Sequence, residues 1–249
     1  MPADPQSTHS SSSMAAQLQA AVPHLRILDS AEERAAHSQD HTEDLQFLPD
    51  CVAMPENAQE VVAVMTWAHA HHIPVTPAGA WTGLSGGALP VQGGISLSTK
   101  RLNRIVTIDE LNHQIVVEPG VIVQEMQEAA EAKGLFYAVD PASRGTCTIG
   151  GNLAENSGGP RAVKYGVTKD WVLNLEVVLA DGTLIETGAN TLKNSTGYNL
   201  TQLMVGSEGT LGIITKATLK LLPLPPFNAL LLVPFESASD ACAAVAGLF

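Results

Sequence analysis

The glycines of this chain are concentrated in three short segments, and this distribution constrains the fold more than any other feature. Of the 21 glycines in 249 residues, six lie within residues 77–94, six within 145–166 and three within 206–212. Glycine clusters where the backbone must adopt a positive φ or come close to a ligand. Three surface turns would also be rich in glycine. The residues around the glycines therefore have to distinguish a binding site from a set of turns.

The first glycine-rich segment, residues 77–87, lies in a long uncharged stretch. No Asp, Glu, Lys or Arg occurs between Thr76 and Thr99, so an anion held here would be bound by backbone N–H and hydroxyl groups. The segment has neither the GxxxxGK[ST] motif of P-loop NTPases nor the GxGxxG motif of Rossmann enzymes. Residues 83–87 match the GxSxG motif of hydrolases, but the proline and glycines that follow exclude the helix that this motif requires.

The second segment, residues 140–166, is dominated by amide and hydroxyl groups and is charged only near its edges and at Glu155. That composition suits a neutral polar ligand such as a heterocycle or a ribityl chain. The length of the segment predicts a long loop with a function. Cys147 has no basic partner nearby in the sequence, which favours a packed or ligand-facing thiol over a nucleophile. The third segment, residues 206–215, opens a strand whose backbone edge could pair with a flat heterocycle.

Composition excludes several classes of function. Apolar residues make up 45% of the chain and charged residues 15%, which predicts a sizeable buried core rather than disorder. The net charge of -12 argues against nucleic acid or an anionic membrane surface as a partner. No apolar run reaches the roughly 18 residues of a membrane span. Three scattered cysteines argue against a disulfide framework or a cysteine zinc site and favour a reducing cytoplasm.

Apolar periodicity predicts an α+β chain with many short strands and few helices. Asn57 is predicted to cap a helix whose apolar face is formed by Val61, Val64, Met65 and Ala68. An Asp-Gly turn at residues 181–182 predicts a hairpin over residues 172–187. Further helices are predicted over residues 121–133 and 240–249, and further strands over residues 51–54, 73–75, 94–99, 104–108, 114–118, 212–222 and 229–235.

Three histidines end the first of these helices. His69 and His72 lie on the same helix face, an arrangement that some metal sites use. No acidic or cysteine ligand lies nearby in the sequence, so the histidines are better explained by the favourable interaction of cations with a helix C-terminus. The sequence therefore predicts no metal site.

The sequence divides into four parts. Residues 1–14 are polar and rich in Ser and predict a disordered tail, and residues 15–45 predict a helical segment of unknown role. Residues 46–226 predict the main domain, which ends at the prolines of residues 223–226. Residues 227–249 predict one strand and part of a helix, which are too little to bury a core. The sequence therefore predicts the start of a truncated second domain.

Five sequence blocks occur in order along the chain: PxGxxTGLSGGA, VEPGV, DPxS followed by CxIGGNxAENSGG, KYG, and GSEGTLGIIT. In this combination the chain resembles the FAD-binding (PCMH-type) domain of the vanillyl-alcohol oxidase and p-cresol methylhydroxylase superfamily. Within it, the chain is most similar to the branch of glycolate oxidase catalytic subunits and D-lactate dehydrogenases. The resemblance covers about residues 40–226 and implies a two-lobed α+β fold that binds FAD.

The resemblance also implies which residues contact each part of FAD. The pyrophosphate would be held by residues of the first segment: Pro77, Gly79, Ala80, Trp81, Thr82, Gly83, Leu84, Ser85 and Gly86. The adenosine half would lie near Glu118, Pro119 and Gly120. The isoalloxazine and ribityl chain would be lined by Asp140, Pro141, Ser143, Cys147, Gly150, Gly151, Asn152, Ala154, Asn156, Gly158 and Gly159. The site would be completed by Tyr165, Gly166, Glu208, Gly209, Gly212, Ile213 and Ile214.

The chain departs from the family pattern at two positions. Members of the superfamily often carry Arg where Ala78 stands, and the loss of that Arg removes a cationic phosphate contact. They often carry Gly where Trp81 stands, so the backbone geometry of this tight loop is unexplained by the sequence. No histidine occurs in the first segment to form an 8α-histidyl link, so the resemblance implies non-covalent FAD.

The implied reaction is the oxidation of a 2-hydroxy acid such as D-lactate or glycolate to the 2-oxo acid. A base removes the hydroxyl proton while a hydride passes from C2 to flavin N5. In this branch the substrate Arg, and the His and acidic residues that serve as metal ligands or base, belong to the C-terminal domain. No catalytic residue is therefore assigned in this chain. The electron acceptor is left open between a quinone, a cytochrome and a partner subunit, and the expected location is cytoplasmic, free or peripheral to the inner membrane.

Two alternatives stay open. The first is another FAD oxidoreductase on the same fold, of the sugar oxidase or enolpyruvyl reductase type, although the long run from Asp140 to Gly159 argues against it. The second is a non-catalytic FAD-binding or electron-transfer subunit, which suits a chain that lacks evident catalytic residues. All three interpretations predict that the three glycine-rich segments converge on one cleft.

Overall fold

A computed structural model of the chain describes residues 13–248. The tail predicted over residues 1–14 lies almost entirely outside the described residues, and the first helix begins at Met14 with Ser13 as its N-cap. The described chain forms two lobes, each built on its own sheet. The mixture of short strands and helices confirms the predicted α+β class. Among residues 13–248, no helix has both the length and the apolar character needed to cross a bilayer.

The first lobe contains a four-stranded sheet with the strand order β1-β2-β4-β3. Strands β2, β4 and β3 are parallel, and β1 is antiparallel to β2. The elements of this lobe, in chain order, are α1 (Met14–Ala21), β1 (Arg26–Leu28), α2 (Ala31–Ala35), β2 (Cys51–Met54), α3 (Ala58–Ala70), β3 (Val75–Ala78) and β4 (Ile95–Ser98). The strand β1 lies in the segment that was predicted to be helical.

The connection between β3 and β4 places the first glycine-rich segment. Adjacent parallel strands need a crossover connection, which is usually a helix. Residues 79–94 make this crossover without regular secondary structure, so the segment starts at the carboxyl end of β3. The carboxyl ends of parallel strands are where open α/β sheets bind ligands.

Helix α3 packs against the sheet of the first lobe, with the N-cap and the apolar face that the sequence predicts. The Glu60 amide N–H donates to the Asn57 side-chain oxygen at 2.9 Å, which caps the helix. The predicted apolar face is buried, with Val61 and Val64 fully so. This face packs against sheet residues such as Ala53 and Leu97 in one core.

The second lobe contains a five-stranded antiparallel sheet with the strand order β5-β6-β10-β8-β9. Its elements are β5 (Ile105–Asp109), β6 (Gln114–Val117), α4 (Val123–Glu131), β7 (Leu135–Phe136), α5 (Ile149–Glu155), α6 (Ala162–Tyr165), β8 (Val172–Val178), β9 (Leu184–Glu186), α7 (Leu200–Met204), β10 (Ile213–Lys220) and β11 (Leu222–Pro223). Strand β11 pairs with β7 apart from the main sheet. The predicted hairpin is confirmed, because β8 pairs with β9 around Gly182 at φ 88°.

The two lobes share part of one core. Val178 at the end of β8 and Ile213 at the start of β10 pair with each other in the second sheet. Both are buried in the core of the first lobe beside Met65 and Ile95. The second sheet is therefore anchored in the first lobe at the point where the third glycine-rich segment ends.

Besides β1, two further predictions from the sequence are wrong. The second glycine-rich segment is not a continuous loop, because Ile149–Glu155 forms helix α5 with Thr148 as its N-cap. Residues 229–235 do not form a strand: they pair with no described strand, and Leu230 is 97% exposed. The last helix, α8 (Ala238–Leu248), is capped by Ser237, whose hydroxyl accepts from the Asp240 N–H at 3.1 Å.

Candidate functional site

The three glycine-rich segments line one open cleft, to which both lobes contribute. The cleft is open to solvent, and the space within it, counted together with the solvent at its mouth, is about 1000 Å³. Residues from the end of β3, from α5 and from the start of β10 form its wall. The predicted convergence of the segments is therefore confirmed.

The cleft brings together many of the residues predicted from the sequence. Those on its wall are Pro77, Gly79, Ala80, Trp81, Thr82, Gly83, Pro119, Ser143, Cys147, Gly150, Gly151, Asn152, Ala154, Glu208, Gly209, Gly212, Ile213 and Ile214. The other predicted residues are not part of the described wall: Leu84, Ser85, Gly86, Glu118, Gly120, Asp140, Pro141, Asn156, Gly158, Gly159, Tyr165 and Gly166.

Sequence reasoning missed nine residues of the wall, namely Asp40, Ala78, Gly87, Ala88, Thr99, Thr148, Glu155, Ser157 and Ser207. Most of them lie inside the sequence blocks or next to them, so their position in the motifs could have identified them. Asp40 is different, because it belongs to a segment in which no motif was found. Its backbone neighbour His41 donates its N–H to the Gly83 carbonyl at 3.0 Å, which fixes this segment against the first glycine-rich segment.

Trp81 occupies a backbone position that glycine would fill more easily. Its φ is 58°, in the left-handed region that costs a non-glycine residue about 1–2 kcal/mol. The indole is buried, with the His37 ring edge-on at 4.9 Å and the Lys100 ammonium 4.7 Å above its face. These contacts hold a large side chain where the resemblance led us to expect glycine, and they explain how the loop accommodates it.

Helix α5 carries the second segment into the cleft. The Gly151 N–H donates to the Thr148 hydroxyl at 3.4 Å, which caps the helix. A Cβ placed at Gly79 would lie only 2.5 Å from that hydroxyl oxygen, so the first and second segments touch here without space for a side chain. Asn152, one turn into the helix, is buried and lines the cleft.

Several predicted residues outside the wall hold the segments in place. One carboxylate oxygen of Asp140 accepts from the Arg161 backbone N–H at 3.2 Å, and the other forms an ion pair with the Arg161 guanidinium at 3.3 Å. Asn156 ends α5 at φ 52°, and its side-chain oxygen accepts from the Lys169 N–H at 2.9 Å. A Cβ at Gly159 would collide with the Asp140 carbonyl oxygen. These residues stabilise the loop around α5 rather than form the cleft wall.

Cys147 is a buried thiol on the cleft wall. Burial raises its pKa above the usual range, and the hydrogen bond from Ser143 only partly opposes this. The group is therefore protonated at neutral pH, which makes it a poor nucleophile. This agrees with the prediction of a packed or ligand-facing thiol.

The charged side chains of the described wall are all acidic: Asp40, Glu155 and Glu208. The Ser85 hydroxyl, expected to contact a phosphate, instead donates to the Glu155 carboxylate at 3.2 Å. Partial desolvation raises the pKa of Glu155, the nearby Glu208 and Asp40 carboxylates raise it further, and the Ser85 hydrogen bond lowers it. The first segment itself contributes no charge, as the sequence indicated. Among the described residues, no group of His, Cys, Asp and Glu has the arrangement of a metal site.

The wall fits the cofactor that the resemblance implies. Trp81 Nε1 and Asn152 Nδ2 are buried nitrogens without a hydrogen-bond partner among the described residues. Such donors are rare in folded proteins, and a bound ligand is one way to satisfy them. A Cβ placed at Gly83 would have only carboxylate oxygens of Asp40 and Glu155 within 4 Å. The backbone there is therefore open to a ligand, as binding of a pyrophosphate through N–H groups requires.

Comparison with known proteins tests the family resemblance independently of the structure. The family model described as "FAD binding domain" matches residues 49–188. Glycolate oxidase subunit GlcD of Bacillus subtilis is 47% identical over 220 residues, which are 88% of this chain and 47% of that protein. D-2-hydroxyglutarate dehydrogenase of Xanthomonas citri pv. viticola is 43% identical over 216 residues, which are 86% of this chain and 46% of that protein.

A solved structure shares the fold. Alkyldihydroxyacetonephosphate synthase superposes with a TM-score of 0.72 at 26% sequence identity, covering 81% of this chain and 38% of that one. The chain spans about half the length of the curated relatives it matches.

Proposed function

The chain belongs to the FAD binding domain family, and on that premise we propose that it is the FAD-binding part of an oxidoreductase that converts a 2-hydroxy acid, such as glycolate or D-lactate, to the 2-oxo acid. The observation that carries the proposal is the convergence of three glycine-rich segments on one cleft. The relatives named above for glycolate and D-2-hydroxyglutarate support the substrate class. Their common feature is a hydroxyl group on the carbon next to a carboxylate.

Different residues of the wall suit the pyrophosphate, the polar chain and the ring of FAD, because their chemistry differs. The open backbone around Gly83 suits the pyrophosphate, because it offers N–H groups without a side chain in the way. The amide of Asn152 suits the polar chain between the phosphates and the ring. The buried surfaces of Cys147 and Ile213 suit a flat ring, because they are largely apolar. When bound, FAD supplies a hydride acceptor.

The described wall does not offer a partner for a substrate carboxylate. A 2-hydroxy acid needs a cation for its carboxylate and a base for its hydroxyl proton, and no Lys, Arg or His lies among the described lining residues. We place the cation in the half of the relatives that this chain does not match. We place the base there too, because the three carboxylates of the wall lie beside the first glycine-rich segment, which suits the pyrophosphate rather than the ring. On its own, the chain is expected to bind FAD without oxidising substrate.

A chimera tests this division of roles. Residues 1–226 would be joined to the unmatched half of the Bacillus subtilis relative, and the flavin absorbance would be followed anaerobically after addition of glycolate or D-lactate. We expect the chimera to be bleached and to form the 2-oxo acid, and the 249-residue chain alone to bind FAD but stay yellow.

Propionate, which has the carboxylate but no hydroxyl group, is the matched control substrate and should leave the chimera oxidised. A chimera that binds FAD and is reduced by sugars rather than by 2-hydroxy acids would overturn the substrate class. Bleaching of the 249-residue chain alone would show that the acid–base groups lie in this half.

A further inference from the structure

Three carboxylates from distant parts of the chain meet at the cleft beside the first glycine-rich segment. Asp40 comes from the segment before β2, Glu155 from the last turn of α5, and Glu208 from the loop before β10. A Cβ placed at Gly87 would lie 3.4 Å from both Glu155 Oε1 and Glu208 Oε2, and one at Gly83 would lie 3.8 Å from Asp40 Oδ2 and 3.9 Å from Glu155 Oε1. Glu155 therefore faces the other two carboxylates across this segment.

The surroundings of Glu155 contain little positive charge to offset these carboxylates. Its described hydrogen-bond donor is the Ser85 hydroxyl, and Asp40 accepts the Thr42 N–H at 2.8 Å through its other oxygen. None of the three carboxylates forms an ion pair within residues 13–248. Lys100 lies over the Trp81 ring rather than on the cleft wall, and the remaining titratable group on the wall is the Cys147 thiol.

A ligand is expected in this same cleft for a reason independent of the carboxylates. Trp81 and Asn152 are more than nine-tenths buried on its wall and each has an unpartnered donor nitrogen. The Trp81 indole N–H and the glycine backbone of the first segment suit the phosphates of a dinucleotide, and the Asn152 amide suits the polar chain next to them, whereas the carboxylates repel the phosphates. The neutral donors of the cleft thus attract a phosphate group, and its carboxylates repel the same group.

We propose that FAD binding in this cleft is coupled to the uptake of a proton by the carboxylate cluster, at Glu155, so that FAD affinity decreases as pH rises. The proposal rests on the proposed function only in that FAD occupies the cleft, and it is independent of the substrate oxidised.

The physical argument has two parts. The pyrophosphate of FAD is an anion, and a like charge nearby disfavours the ionised form of a carboxyl group. Bound FAD also excludes water from Glu155, whose side chain is exposed in the structure, and loss of hydration again disfavours the charge. Both effects raise the pKa of Glu155 beyond the increase already present. A group whose pKa rises on binding takes up a proton, so binding is tighter at lower pH.

The test is a measurement of FAD affinity against pH in the 249-residue chain. Quenching of flavin fluorescence would give Kd at pH 5, 6, 7 and 8, with EDTA present to exclude metal bridging. We expect Kd to increase across this range, by no more than about tenfold per pH unit for one linked proton. Titration calorimetry at one pH in two buffers of different ionisation enthalpy would count the proton directly.

Glu155→Gln separates this coupling from general charge effects. It keeps the shape of the side chain and removes the titrating group, so it should bind FAD more tightly than the wild type at pH 8 and lose most of the pH dependence. Glu131→Gln is the matched control, because it removes the same charge from an exposed position on α4. It should behave like the wild type. Circular dichroism would verify that each variant is folded.

Two results would overturn the proposal. One is a Kd that is constant between pH 5 and 8 with no buffer-dependent heat. The other is weaker binding by Glu155→Gln, which would mean that the ionised carboxylate accepts hydrogen bonds from hydroxyl groups of the cofactor. Either result leaves the hydroxy-acid chemistry untouched, whereas a chain that fails to bind FAD at every pH would contradict the FAD site itself.

Discussion

Gly83 and Gly150 both line the cleft, but a methyl group added to each would meet different surroundings. At Gly83 it would enter the cleft, with carboxylate oxygens of Asp40 and Glu155 as its neighbours at 3.8 and 3.9 Å. At Gly150 it would lie 2.6 Å from the Pro119 Cβ and 3.1 Å from the Pro119 carbonyl oxygen. The first glycine leaves space for a ligand, and the second lets α5 approach the chain that follows β6.

This difference shows that a glycine-rich motif can combine two physical roles. In the first segment the loop has no regular secondary structure, and Gly83 keeps the backbone open. In the second segment a helix carries the motif, and glycines such as Gly150 and Gly159 allow close packing against Pro119 and Asp140. Substitution of Gly83 should therefore weaken the binding of FAD alone, whereas substitution of Gly150 should lower the stability of the fold and, with it, the binding of FAD.

Gly150→Ala should have the broadest effect, because it disrupts both properties. The added methyl group overlaps Pro119, and overpacking of this kind destabilises a fold by about 1–3 kcal/mol. We expect a lower urea midpoint and weaker FAD binding together. Gly151→Ala is the matched control, since its nearest neighbour outside the helix, Thr148 Oγ1, would be at an ordinary 3.6 Å. If Gly150→Ala and Gly151→Ala were equally stable, Gly150 would not be a packing glycine and its contrast with Gly83 would be wrong.

Gly83→Val should abolish tight FAD binding and leave the fold intact. The valine side chain would occupy cleft space, and Gly83 is not among the positive-φ residues of the described chain. We expect Kd for FAD to increase by more than about tenfold, the loss of at least 1.4 kcal/mol of binding free energy, with an unchanged melting temperature. Gly247→Ala, in the exposed helix α8, is the control. A Gly83→Val protein that purifies yellow would place the pyrophosphate elsewhere.

Trp81 allows a finer measurement within the first segment. Trp81→Ala removes the buried indole but keeps a Cβ at positive φ, whereas Trp81→Gly removes both the indole and the backbone strain. Both variants should be less stable than the wild type, because loss of a buried large side chain creates a cavity. Trp81→Gly should be the more stable of the two by about 1 kcal/mol. Urea unfolding of the pair measures this, and a less stable glycine variant would contradict the assignment of strain.

The sequence predicted the convergence of the three segments because each is glycine-rich, uncharged or nearly so, and next to a strand. It did not predict helix α5, because two consecutive glycines oppose helix formation. The helix forms through tertiary contacts: its N-cap is Thr148, and Gly150 packs on Pro119. A strand was predicted over residues 229–235 from apolar β-branched and leucine-rich composition, but a strand also needs a partner edge.

The acidic cluster could not be read from the sequence at all. Asp40, Glu155 and Glu208 are separated by more than fifty residues in each interval, and the charge pattern of each segment alone is unremarkable. Only the packing of the segment around His41 onto Gly83 brings Asp40 to the cleft. The strain at Trp81 was visible as a departure from the family pattern, but the contacts with His37 and Lys100 that stabilise it come from outside its motif.

The shared core has a consequence for how the cofactor exchanges. Val178 and Ile213 extend from the second sheet into the core of the first lobe, so opening the cleft like a hinge would expose buried apolar surface. Hinged proteins concentrate their motion in a few loop residues instead. We therefore expect FAD to exchange through the open mouth of the cleft without separation of the lobes, with a residence time set by the rim formed where the His41 N–H donates to the Gly83 carbonyl. Local release of that rim requires much less unfolding than separation of the lobes.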